Sequence, residues 1–267
     1  MPTAGFRIQV VLATYNEGAT IGAVVGALSE VAAHVRLSGD EMRLLLVDDR
    51  SPDGTAATAE QTAKSVGLPF QLLSGPREGL GNAYLRGFDA VVDEGWADVV
   101  VTFDADGQHD PLALLPLLER FRGSTADLVI GSRWIAGGTT PGLSGIRWML
   151  SRVGIAVFGI VTGTRTIKDP TSSYRVFTTD VARSFRPGAL AISGYSFFSS
   201  FVGLTDAAGY EIVECPIVFL PRGGGVSKLM RRDVVQFGRN IGQLGRAVRA
   251  IRRAPPPVTR RAETSAT

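Results

Sequence analysis

One cysteine, two histidines and no apolar run long enough to cross a bilayer set the first limits on this 267-residue sequence. A lone Cys215 makes no internal disulfide and no thiolate metal cluster, so an oxidised secreted scaffold is not implied. A spanning helix needs roughly 18 to 20 apolar residues, and no segment reaches that. The stretch Pro187 to Thr205 lacks charge, but its Ser, Gly and Pro argue against a span. The opening MPTAGFRIQVVLATYNE has no basic stretch followed by an apolar run and a small-residue cleavage site, so no signal peptide is expected and the cytoplasm is the expected compartment. With 45% hydrophobic and 20% charged residues, the chain has the composition of a globular protein, which excludes disorder of the whole.

Charge is unevenly spread. Residues 222–267 contain eleven Lys and Arg against two acidic residues, a local +9, whereas the whole chain carries +3 and the first 221 residues therefore carry −6. Such a split predicts that the C-terminal segment meets something anionic, such as phosphates or a membrane surface.

Apolar strands alternate with helices through the first half. Arg7–Ala13 reads as a strand and gives way at Thr14-Tyr15-Asn16-Glu17 to the helical spacing Ile21, Val24, Val25, Leu28. Arg43–Val47 reads as a strand ending at Asp48-Asp49, followed by the turn Ser51-Pro52-Asp53-Gly54 and an Ala-rich helix. Further strands are expected around Phe70–Leu73, Asp98–Phe103 and Asp127–Ile130, with helices around Leu80–Val92 and from Pro111. This pattern predicts an α/β fold with a mainly parallel sheet covered by helices on both faces. After Ile130 the alternation weakens: Gly131–Gly145 reads as a loop, Ile146–Val161 as a helix, Asp169–Arg175 as a polar turn and Tyr210–Phe219 as a strand pair or hairpin.

Ligands bind such sheets where loops leave the carboxyl ends of the strands, and three polar clusters fall there. Asp104 and Asp106 stand at positions i and i+2 of a strand end, which puts both carboxylates on one side beside Gln108, a donor set suited to a hard divalent cation. The same carboxylates could instead cap the next helix. Asp48-Asp49 could bind a base or ribose hydroxyl, or simply shape a turn, and Tyr15 with Glu17 could hold a base or be loop surface.

Taken together, Thr14-Tyr15-Asn16-Glu17, Val47-Asp48-Asp49 with Ser51-Pro52-Asp53-Gly54-Thr55, Asp104-Ala105-Asp106-Gly107-Gln108-His109, and Gly131-Ser132-Arg133 resemble the ordered motifs of glycosyltransferase family 2. Asp169-Pro170-Thr171-Ser172-Ser173-Tyr174-Arg175 and Ser227-Lys228-Leu229 resemble motifs of its polyprenol-phosphate (dolichol-phosphate) mannosyltransferases. The resemblance covers about residues 7–230. Ala13 stands where the family usually has Pro, Arg50 where a smaller or polar residue is usual, and Ser173-Tyr174 where Gly-Phe is usual.

The resemblance implies a GT-A fold over residues 1–228 and inverting transfer of mannose from GDP-mannose to a polyprenyl monophosphate. It implies Mg²⁺ or Mn²⁺ on Asp104, Asp106 and Gln108, with Asp104 and Ala105 against the diphosphate. Ala13, Tyr15, Glu17, Leu46 and Asp48 would hold the nucleoside. Arg133, Arg222 and Lys228 would contact phosphates of donor or acceptor, and Arg147 with Ser151 would seat the lipid phosphate. Asp106, Arg133 and Lys228 would carry the catalytic burden. A lipid phosphate is already anionic near neutral pH, so no catalytic histidine is expected; His109 would shape its loop.

From Met230, Val234, Phe237, Ile241, Leu244, Val248 and Ile251 recur at helical spacing beside many arginines. This predicts a basic amphipathic helix over 229–253, lying on the inner face of the cell membrane or packed on the protein's own core, and a disordered tail over 254–267. Ile146–Val161 reads as a second interfacial element or as core. A membrane-protein partner is compatible with these readings. Competing readings are a polyprenyl-phosphate glucosyltransferase or other family 2 enzyme, a nucleic-acid-binding protein and a noncatalytic membrane adaptor. Against nucleic acid, the positive charge is confined largely to one helix without base-stacking aromatics.

Overall fold

A computed structural model describes residues 5–143, 145–184, 196–221 and 231–254, the side chains of Arg147 and of 231–239 excepted. In chain order the elements are β1 (Arg7–Thr14), α1 (Ile21–Leu37), β2 (Glu41–Asp48), α2 (Thr55–Val66), β3 (Phe70–Ser74), α3 (Leu80–Glu94), β4 (Val99–Thr102), α4 (Leu114–Arg122), β5 (Leu128–Ser132), α5 (Gly145–Thr162), β6 (Arg175–Thr178), α6 (Thr179–Ser184), α7 (Ser196–Ala207), β7 (Ile212–Pro216) and α8 (Arg231–Arg253).

Seven strands form one sheet in the order β3-β2-β1-β4-β6-β5-β7. The pairings are parallel except for β6, which runs antiparallel to both β4 and β5. β1 and β2 run in register from Arg7 opposite Glu41 to Thr14 opposite Asp48, so their carboxyl ends finish side by side.

Strand alternation divides the core. Ile8, Val10 and Leu12 of β1 face a cluster that includes Val24, Leu28, Leu117 and Phe121 of α1 and α4, while Val11 and Ala13 face one with Tyr84, Phe88, Phe201 and Leu244 of α3, α7 and α8. Apolar residues at Ile21, Val24, Val25, Leu28, Val31 and Val35 explain why α1 is a helix with one buried stripe. α3 approaches β1 closely at Gly87, where an added Cβ would stand 2.7 Å from Val11 Cγ1, so a larger residue would push helix from sheet.

The expected mainly parallel sheet is present, two local readings change, and the charge-free stretch, read only as no span, gains a short helix. Arg175–Thr178, read only as the end of a polar turn, continues as β6, because Val176 and Phe177 have buried positions waiting between β4 and β5. Ser196–Ala207, which starts in the charge-free stretch and runs on through Asp206, is a helix with eleven buried residues, packed beneath the sheet. Within Tyr210–Phe219 there is a single strand, β7, beside β5 rather than a hairpin, followed by isolated bridges at Val218 and Phe219. The boundary between catalytic domain and C-terminal helix lies outside the described residues at 228, but α8 beyond it is docked: Ile241, Leu244 and Val248 are buried against the sheet's helical layer. Over that half the apolar stripe faces the protein's own core, not a bilayer.

Candidate active site

The carboxyl ends of β1, β2 and β4 carry three loops, and side-chain hydrogen bonds stitch these together. Asp48 is 1% exposed and its carboxylate accepts from Thr14 Oγ1 at 2.8 Å, Ser51 N at 2.7 Å and Ser51 Oγ at 2.6 Å. Ser51 Oγ in turn accepts from Asn16 N at 3.0 Å, and Thr55 Oγ1 accepts from Glu17 N at 2.9 Å. Asp53 accepts from Gly18 N at 2.9 Å and from Thr55; the Thr55 hydroxyl foremost, then the Gly18 amide, holds this carboxyl below its usual range. Asn16 and Arg50 both have positive φ, 60° and 57°, at equivalent places after β1 and β2. Non-glycine residues adopt that conformation only when the surroundings fix it, and here the Ser51 bridge does so.

The third loop joins through Thr20, whose hydroxyl donates to the carbonyl of Ala105 at 2.7 Å. Ala105 is buried while Asp104 and Asp106 on either side are half-buried, the alternation expected at a strand end. Asp106 accepts from Gln108 N at 3.1 Å. Gln108 donates from Nε2 to the Leu220 carbonyl at 3.0 Å, and its own carbonyl accepts from Leu220 N at 2.9 Å, so the segment leading to residue 221 runs along this loop. His109 is packed edge-on against Tyr174 and Phe219, and burial pushes its pKa down. It walls the loop, its Nδ1 accepting from the Asp104 amide at 3.3 Å.

Around Arg133 the geometry is tighter. Nε and Nη2 each donate at 2.7 Å to the two oxygens of Asp169, and Nη2 also reaches Thr171 Oγ1 at 2.8 Å. Asp169 is fully buried and also accepts from Arg133 N at 2.9 Å. Burial alone would lower the guanidinium pKa, but Asp169 reverses the sign and raises it. Arg175 clamps the turn that presents Asp169: it donates to the carbonyls of Ser172, Pro170 and Phe198 at 2.8, 3.0 and 2.8 Å. Burial pushes this fully enclosed guanidinium down to about 9.

The structure therefore brings Tyr15, Glu17, Asp48, Asp104, Ala105, Asp106 and Gln108 into one linked cluster, with Ala13 at the end of β1 beneath it. Leu46 is a correction. It shares the face of Leu44 in β2 and is wholly buried in the core on the α1 and α2 side, so its side chain does not line a nucleoside pocket. Asp48 points into the loop network rather than outward, which gives it the task of holding the loops in place. Ser151 lies on α5 without a hydrogen bond to the cluster among the described residues; the nearest link is Arg152, whose guanidinium lies 5.8 Å from the Trp134 ring. Arg222 and Lys228 lie outside the described residues, as does the side chain of Arg147.

Sequence reasoning missed Arg77, whose guanidinium lies 3.8 Å from the centre of the Tyr15 ring. It sits in the loop before α3, 62 positions along the chain from Tyr15, and carries no local signal. It also missed Thr20, which joins two of the three loops.

The glycosyl transferase family 2 model matches residues 9–185, about two thirds of the chain and all of the strand-end loops described above. The chain belongs to glycosyl transferase family 2. It is 35% identical over 243 residues to the undecaprenyl-phosphate mannosyltransferase of Micrococcus luteus, covering 91% of this chain and 96% of that one. It is 34% identical over 240 residues to the polyprenol monophosphomannose synthase of Mycolicibacterium smegmatis, covering 90% and 87%. Among solved structures, the mannosyltransferase PcManGT of Pyrobaculum calidifontis, in complex with GDP-Man and Mn²⁺, matches with a TM-score of 0.60 at 17% identity over 96% of this chain and 78% of that one. That likeness carries the GT-A fold, and this family 2 chain has the fold's sheet with its loops gathered at the carboxyl ends.

As to metal, no group of three or more His, Cys, Asp or Glu is gathered among the described residues. Two carboxylates and an amide oxygen make an open donor set, which fits a hard cation whose remaining positions go to phosphate oxygens and water. Asp104, Asp106 and Gln108 meet that description.

Proposed function

We propose that the chain transfers mannose from GDP-mannose to a polyprenyl monophosphate, with inversion, at the inner face of the cell membrane. One observation carries the reading: the hydrogen-bonded joining of the Tyr15–Glu17, Asp48–Thr55 and Asp104–Gln108 loops into a single cleft edge. The relatives named as mannosyltransferases of undecaprenyl phosphate and as polyprenol monophosphomannose synthase support the donor sugar and the lipid acceptor. PcManGT, with GDP-Man and Mn²⁺, supports a divalent cation, Mg²⁺ or Mn²⁺.

On this reading Asp104, Asp106 and Gln108 hold the cation, which would offset charge developing on the leaving diphosphate. Tyr15, Glu17 and Arg77 hold the nucleoside side of the donor. A phosphate monoester is anionic near neutral pH and attacks without a strong base, consistent with a His109 that is buried in the loop wall. The protein's work is then to align the nucleophile and to hold cationic donors where charge appears. Arg133 keeps Nη1 for a phosphate while Asp169 fixes the rest of its guanidinium. Arg222, Lys228, Arg147 and Ser151 keep the phosphate roles that the family resemblance implies.

Membrane access falls to α5. No helix among the described residues is long and apolar enough to cross a membrane, yet Ile146, Trp148, Met149, Leu150 and Val153 are exposed along the first half of α5. Such a face suits burial at the headgroup boundary.

Purified protein incubated with Mg²⁺ or Mn²⁺, polyprenyl phosphate and labelled GDP-mannose or UDP-glucose tests the reading. A mannolipid formed from GDP-mannose and absent in Asp106→Ala is the expected result. Product from UDP-glucose alone overturns the sugar and base; no lipid product from any donor overturns the acceptor.

A further inference from the structure

Away from the cleft, α5 and the loop after it enclose a groove of about 290 Å³, close to the lower limit of roughly 300–1,000 Å³ usual for ligand sites. Arg152, Ile155, Gly159 and Ile160 line it from α5, at the i, i+3, i+7, i+8 spacing of one helical stripe, and Arg165 and Lys168 line it from the loop. It shares no lining residue with the strand-end loops.

Three cations line this space, and Arg152 also holds its guanidinium 5.8 and 6.0 Å from the Trp134 and Trp148 rings. Among the described residues none of the side chains of Arg152, Arg165 and Lys168 forms an ion pair. Two carboxylates border the lining, Glu214 beside Lys168 and Asp206 beside Thr164, against three cations. Glu214 accepts the backbone amides of Lys168 and Asp169 at 2.9 and 2.8 Å, and Asp206 accepts Thr164 Oγ1 and Arg252, both at 2.7 Å. Apart from Thr164 the rest of the lining is apolar, with Ile160 68% exposed, and the exposed face of α5 continues from it through Val153. A site that combines cations with an apolar wall and is continuous with an apolar surface matches a ligand with an anionic head and a hydrocarbon body.

We infer that this groove binds the headgroup of an anionic phospholipid of the bilayer, the phosphodiester between Arg152, Arg165 and Lys168 and the first chain carbons along Ile155 and Ile160. The inference rests on the membrane location proposed above and adds a second lipid site, separate from the acceptor's. It would orient the enzyme with α5 against the bilayer.

The test is co-sedimentation of the full chain with phosphatidylcholine vesicles, with and without phosphatidylglycerol, in the absence of nucleotide sugar and polyprenyl phosphate. Binding should require phosphatidylglycerol. Each membrane-facing Lys or Arg is worth about fivefold in partitioning, so Arg165→Ala with Lys168→Ala should weaken binding about thirtyfold. The control double Arg36→Ala with Lys64→Ala removes the same charge from exposed positions on α1 and α2 and should shift binding less than about twofold. Equal losses in the two doubles would reduce the effect to net charge and overturn the site. Release from the vesicles by inorganic phosphate at constant ionic strength would assign the groove to a soluble anion and overturn it too. Transfer to detergent-dispersed acceptor should be retained in the Arg165, Lys168 double; its loss would give these cations to the acceptor phosphate instead. Because binding is read without donor or acceptor, it can fail while transferase activity stands, and the reverse.

Discussion

Arg133 and Asp169 meet fork to fork, Nε and Nη2 each 2.7 Å from a carboxylate oxygen that is itself fully buried. A planar guanidinium matches that geometry and an ammonium does not, so Arg133→Lys keeps the charge and loses the fixed orientation. Turnover should fall on the order of tenfold to a hundredfold while donor KM stays near wild type. Asp169→Asn leaves the arginine with its charge uncompensated and should cost about 3 kcal/mol of stability, read by urea denaturation. If Arg133→Lys turns over like wild type, the fork serves only to hold the turn.

Asp104 and Asp106 make a prediction about metal. Asp106→Ala should lower turnover at least on the order of a hundredfold, with the thermal midpoint little changed because the residue is only half-buried. Chelation should silence the wild type, and Mg²⁺ or Mn²⁺ should restore it. In Asp104→Asn the metal concentration for half-activity should rise, since one anionic ligand has become a neutral one. Undiminished activity after exhaustive chelation would remove the cation from the proposal.

The contact between Arg77 and Tyr15 predicts an effect on the donor alone. Arg77→Ala removes a cation from 3.8 Å above the ring, and a contact of that kind is worth about 0.5–1 kcal/mol at an exposed site. Donor KM should rise about twofold to fivefold with turnover unchanged, and Tyr15→Phe, which keeps the ring, should behave as wild type. A fall in turnover at constant KM would place Arg77 with the reacting phosphates instead.

Much of this was written in local sequence. The strand-end positions of Asp48 and Asp104 followed from apolar runs that stop abruptly, and the three polar loops did converge as parallel topology requires. What escaped was set by distance along the chain. β6 was unreadable because four residues between a polar turn and a helix acquire strand character only from neighbours on both sides. Arg77 carries no pattern, and its partner is in another loop. Leu46 lies on the core face with Leu44, where strand alternation alone places it, although its family position implied the pocket.

α8 shows the same ambiguity in its sharpest form, since an amphipathic stripe does not say what covers it. Leu244 is 1% exposed and belongs to the core cluster that holds Phe158 and Phe201, so Leu244→Ala should destabilise the chain by about 2–5 kcal/mol. Trp148 on α5 is 50% exposed, and Trp148→Ser should leave the denaturation midpoint within about 0.5 kcal/mol of wild type while weakening vesicle binding severalfold. The two variants thus separate stability from membrane affinity. A neutral Leu244→Ala that lost vesicle binding would return the membrane face to α8, because only an apolar side chain leaving water for lipid, rather than for Phe158, could produce that pair of results.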